Sequence, residues 1–170
     1  MPTPTIPHSE IWANEASHAI GHIGGIQWVI WRNDVTHAAL DIIDREVPTL
    51  EGPFATTLGS LTIVLPGVAV PKSDVMARIR KSTENSQGAP MPAGLAVVLE
   101  GSGLWRSTWR LIGRTATSLL KARMPVHFAD TIRAACDWHG NNLLDAGADA
   151  MSGHQIYAHL ESAGIEAPAG

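Results

Sequence analysis

The chain has 170 residues, 45% hydrophobic and 16% charged, which suits one folded domain and excludes the charge-rich, aliphatic-poor composition of disorder. Twelve Lys and Arg against sixteen Asp and Glu give a net charge of -4, which argues against general attraction to nucleic acid or anionic lipid. The single cysteine, Cys136, excludes an intrachain disulfide and a multi-cysteine zinc site, and no run approaches the ~20 apolar residues of a membrane span, so a cytoplasmic protein is expected.

Residues 1–9 hold three prolines without periodicity and predict a disordered lead-in. From Ile11 to Ile20 and from Ile26 to Arg32 the pattern is strand-like, with Gly21 to Gly25 as the break of a β-hairpin. Asn33, Asp34 and Thr36 offer capping side chains to a helix from His37 to Val47, which Pro48 is expected to end. A strand follows at Ser60 to Leu65, with Val68 to Val70 as an extension beyond Pro66-Gly67. Pro71-Lys72-Ser73-Asp74 opens a helix to about Glu84, with Val75, Met76 and Ile79 inward, and Asn85 to Pro92 reads as a loop.

The aliphatic run Leu95 to Leu99 has no polar alternation and fits a strand buried on both faces. Glu100-Gly101-Ser102-Gly103 breaks it. Leu104, Thr108, Leu111, Thr115 and Leu119 then recur every three or four residues, as the buried stripe of a helix does. Val126 to Ala129 is a short strand, and Asp130-Thr131 caps a last core helix that buries Ile132, Ala135, Cys136 and Trp138. Repeated strand-helix-strand units predict an α/β domain over 10–140: a mixed, mostly parallel sheet with an N-terminal hairpin and about four covering helices. Residues 141–170 form a C-terminal extension with one short helix at His154 to Ser162.

This order, with Val64-Leu65-Pro66-Gly67-Val68, Ala96-Val97-Val98-Leu99-Glu100-Gly101 and Val126-His127-Phe128-Ala129, resembles the STAS and anti-sigma-factor-antagonist-like superfamily, in its branch of small bacterial STAS/CRAL-TRIO-like proteins. In phosphorylatable members an Asp-Ser pair opens the helix after the third strand. The resemblance places Ser73 on that serine as a phosphosite, with Lys72 where the Asp stands and Val75 where a small Gly stands. It implies a non-enzymatic regulatory or scaffolding domain working through protein contacts. Its CRAL-TRIO side implies the alternative, a carrier of a small apolar or lipid-like ligand between sheet and helices.

Candidate chemistry is sparse. His18 and His22 share a sheet face without a third metal ligand, and His154 and His159 are badly spaced for joint ligation. Ser102 lacks the Gly-x-Ser-x-Gly of a nucleophile elbow. No cofactor, metal or catalytic residue is assigned. Arg106, Arg110 and Arg114 recur every four residues beside Trp105 and Trp109, a pairing of types enriched where binding energy concentrates, so these five residues are the candidate partner- or ligand-binding face. Their competing role is structural, with indoles at the core edge and guanidiniums paired to nearby acids. The partner is a protein or a second copy, the hairpin edge being able to pair into a homodimer.

Overall fold

The computed structural model describes residues 8–54, 58–85, 93–118, 120–121, 124–145 and 151–164. Most of the lead-in and of the loop before Leu95 lie outside them. Among the described residues, six strands form one sheet in sequential order: β1 (Ser9–Asn14), β2 (His18–Ile23), β3 (Ile26–Trp31), β4 (Gly59–Val64), β5 (Gly94–Leu99) and β6 (Val126–Ala129). The first three pair antiparallel and the rest parallel, with Gln27 opposite Ser60 and Ser60 opposite Leu95. Among the described residues, five helices cover the sheet: α1 (His37–Phe54), α2 (Ser73–Asn85), α3 (Gly103–Thr117), α4 (Ile132–Asp145) and α5 (Gly153–Ser162). The α/β class, the antiparallel hairpin edge and the mostly parallel sheet agree with the sequence pattern.

Each crossover from β3 to β6 advances to the adjacent strand, and right-handed crossovers that always advance the same way stack their helices on one side. The two cores reflect this. Val29, Trp31, Val64, Leu95, Val97 and Leu99 face Ala39 of α1, Val75 of α2 and Trp109 of α3. Alternate residues Trp28, Ile30, Leu61, Ile63, Ala96 and Val98 face α4 and α5. Burial on both sides is why β5 reads as an unbroken aliphatic run, all six residues being buried.

The segment from Ile11 to Ile20 is two strands rather than one. Glu15 to Ser17 turn out of the sheet, held where the Arg32 amide donates to the Ser17 carbonyl at 2.9 Å, which leaves β1 as an added edge. The Gly24-Gly25 turn joins β2 to β3, with Gly24 at φ 52°, a conformation open to glycine. Gly21 sits opposite Trp28, whose indole lies 2.7 Å from where a Gly21 Cβ would stand.

Three sequence expectations, two about helices and one about a strand, fail for identifiable reasons. Pro48 does not end α1: the helix runs on to Phe54 because Leu50, just beyond it, is buried at 6% exposure. Residues 68–70 form no strand; Gly67 at φ 88° turns the chain away from β4 instead. In α3 the stripe expected to be buried faces outward, with Leu104 84% and Leu111 67% exposed. Trp105, Trp109, Ile112 and Ala116 turn inward in its place. Both rows have helical spacing; the larger area of two indoles, each with an N–H to satisfy, decides between them. Leu119 lies outside the described residues.

At the other end Gly140 does not close α4, which continues to Asp145. It is instead the point where α5 crosses: a Cβ on Gly140 would lie 2.8 Å from the Gly153 nitrogen. A Ser152–Gln155 capping box starts α5, whose Ile156 and Leu160 complete the core beneath Trp28 and Ile63.

Candidate functional site

The face under α1, α2 and α3 is not filled. Where the opposite face carries Trp28, Leu61 and Ile63, this one carries Gln27, Ser60 and Thr62, and α3 turns Gly113, Ala116 and Thr117 toward them. Short side chains opposite short side chains leave a void, and polar α2 closes little of it, with only Val75 fully buried and Met76 and Ile79 half-buried. The result is a cavity of about 350 Å³ between the sheet and the three helices.

Its wall is overwhelmingly apolar: Trp31, Val97 and Leu99 from the sheet, Leu40 and Ile43 from α1, and Trp109 from α3 among them. A smaller cleft of about 260 Å³ between α2 and α3 shares Met76, Ile79, Thr83 and Ala116 with it. A few polar groups gather where β3 and β4 begin. The Ser60 hydroxyl donates to Gln27 Oε1 at 3.0 Å, while Gln27 Nε2 is buried and finds no hydrogen-bond partner. Asp44 also borders the cavity, its carboxylate held by Arg78 at 2.8 Å. Apolar walls around a small polar cluster are the usual makeup of a small-molecule site.

The five residues expected to form one binding face are divided by the helix. Trp105 and Trp109 both donate their indole N–H to the Val68 carbonyl, at 3.0 and 3.1 Å, and Trp109 is only 6% exposed. Together the two indoles clamp the turn after β4, Trp105 half-buried and Trp109 lining the cavity. On the outside, Arg106 and Arg110 converge on Asp130, which follows β6. One carboxylate thus offsets two of the three like charges spaced along the helix. Arg114 is exposed, with no ion pair among the described residues.

Ser73 is exposed at the first position of α2, beside Asp74, whose carboxyl is held below the usual range chiefly by its hydrogen bond with His37. The Lys72 carbonyl accepts the first helical bond, from Met76 at 2.9 Å. Ser102 occupies the N-cap of α3 without a side-chain capping bond. His18 and His22 are both buried on β2 and are bound locally, by Ser17 Oγ at 2.8 Å and the Gly24 carbonyl at 2.9 Å. No group of three His, Cys, Asp or Glu converges to hold a metal among the described residues. Cys136 is fully buried, and that burial pushes its thiol up to about 12.

The sequence allows for a ligand between sheet and helices but does not identify the lining residues as a set, because no short motif encodes them. The signal present was the break in apolar alternation at Gln27, Ser60 and Thr62, three positions that neighbouring strands bring onto one face. No helix is long and apolar enough to cross a membrane among the described residues. Comparison of the chain with models of protein families, with curated proteins and with solved structures finds no match in any of the three.

Proposed function

We propose that this protein binds and carries a small apolar molecule in the cavity between its sheet and α1, α2 and α3. The observation that carries this reading is the cavity itself, about 350 Å³ of unfilled space in an interior that elsewhere packs Trp, Leu, Ile and Val closely. An apolar cavity of about 150 Å³ holds benzene, so this one has room for roughly a dozen non-hydrogen atoms. This reading falls on the carrier side of the STAS/CRAL-TRIO-like resemblance drawn from the sequence. Native mass spectrometry of protein purified from its own host tests it. A retained small-molecule adduct, released on unfolding, is expected. A bare polypeptide mass, together with no uptake of added hydrocarbon, contradicts it.

A second reading, a regulatory or scaffolding domain working through protein contacts, is favoured by Leu104 and Leu111. These are two turns apart on α3 and are 84% and 67% exposed. A self-complementary stripe of this kind suits a second copy of the chain about a two-fold axis. Sedimentation of the protein and of its Leu104→Ser/Leu111→Ser variant decides: association lost in the variant supports this reading, and a monomer in both contradicts it. Modification of Ser73 belongs to the same reading and is read from the intact mass of the native protein beside Ser73→Ala.

A further inference from the structure

The cavity has chemical direction as well as volume. Gln27 is 6% exposed, and its side chain forms part of the wall. Its Oε1 is occupied by the Ser60 hydroxyl, while both Nε2 hydrogens lack an acceptor among the described residues. A buried amide donor without a partner is a costly arrangement that native interiors rarely keep, because folding removes its water and returns nothing. The wall contains no Lys, Arg or His among the described residues, and its one carboxylate, Asp44, is already paired with Arg78. Inside the cavity an ionised ligand headgroup would lie desolvated beside no cation, Arg80 lining only the adjoining cleft.

We infer that the ligand is an uncharged, largely apolar carbonyl compound of roughly a dozen non-hydrogen atoms, whose oxygen accepts from Gln27 Nε2 while its hydrocarbon part lies against Trp31, Val97, Leu99 and Trp109. This rests on the proposed cavity function and adds the class of ligand and the residue that selects it. Ser60 is a positioning residue: by occupying Oε1 it turns the donor end of the amide toward the cavity.

The test uses the full chain and three probes of similar length, decane, the methyl ketone decanone and ionised decanoate, titrated near neutral pH. Affinity is followed by the intrinsic tryptophan fluorescence, to which Trp31 and Trp109 contribute from the cavity wall, and the Gln27 side-chain amide resonances are followed by ¹H–¹⁵N NMR. Decanone is expected to bind roughly fivefold to tenfold tighter than decane, the worth of one neutral hydrogen bond, and to move the Gln27 amide protons downfield. In Gln27→Leu that preference disappears while decane affinity is kept. Gln27→Met serves if the leucine variant does not fold, and the wild-type NMR shift needs no variant. Equal affinity for decane and decanone, a preference that survives both variants, or tightest binding by decanoate overturns the inference while leaving the carrier reading in place. Failure of all three probes to bind overturns the carrier reading and this inference with it.

Discussion

Acid should weaken this fold through one imidazole in particular. His139 on α4 is fully buried, donates Nε2–H to the Ser60 carbonyl at 2.9 Å, and leaves Nδ1 without a partner among the described residues. Nδ1 also lies near the backbone of β4, 3.2 Å from where a Gly59 Cβ would stand, so it has little room for a proton with its water. Burial therefore pushes the ring from 6.5 down to about 4; the Ser60 bond opposes this and nearby His127 reinforces it. Because the unfolded chain takes up the proton first, stability is fully present above pH 6.5 and is lost as pH falls toward about 4. Over that window the loss approaches roughly 3 kcal/mol, most of it reached by about pH 4.5. The assay is urea unfolding at several pH values for the wild type and for His139→Gln, whose amide keeps a donor toward Ser60 and does not titrate. The variant should be less stable near neutrality yet show a pH dependence flatter by about 2 to 3 kcal/mol across the window. Since carboxylates contribute equally to both proteins, identical slopes would refute the reasoning.

Three further outcomes follow from the packing. Ala116→Leu places a larger side chain in the cavity wall and should raise stability by about 1 to 2 kcal/mol while abolishing decanone binding; a loss of stability with binding intact would show that the space is not there. Gly153→Ala sets a Cβ 2.6 Å from Asp137 Cα and 2.7 Å from its nitrogen, and should cost about 1 to 3 kcal/mol in thermal or urea unfolding, because backbone cannot step aside as a flexible side chain can. Cys136, buried and held protonated, should resist a thiol reagent in the folded protein and react fully in denaturant, and rapid native labelling would contradict its placement between α4 and the sheet.

The sheet was legible because burial on both faces writes itself into local sequence: Leu95 to Leu99 and Ile26 to Trp31 cannot be solvent-facing strands. The helix from Ser73 was legible from its own first turn. The orientation of α3 was not. Its two candidate stripes are equally periodic, and which one faces the sheet depends on the Val68 carbonyl, supplied by a turn more than thirty residues earlier. The continuation of α1 through Pro48 likewise depends on a tertiary pocket for Leu50. The candidate site was hidden for a related reason: its residues come from three strands and three helices, and the feature that unites them is unfilled space, to which no residue type corresponds. The arginine row was visible, but its partner, Asp130, became adjacent only through the pairing of β6 with β5.

The central claim is that the space beneath α1, α2 and α3 receives an apolar guest. Methyl-resolved ¹H–¹³C NMR during titration with decane reads it most directly, since the two sides of the sheet carry separate sets of methyl groups. The account predicts shifts at Val29, Ile79, Val97 and Ile112, which border the cavity, and none at Ile26, Leu61, Ile63 or Val98 on the opposite face. Shifts confined to exposed Leu104 and Leu111, or no shifts at saturating decane, would contradict it.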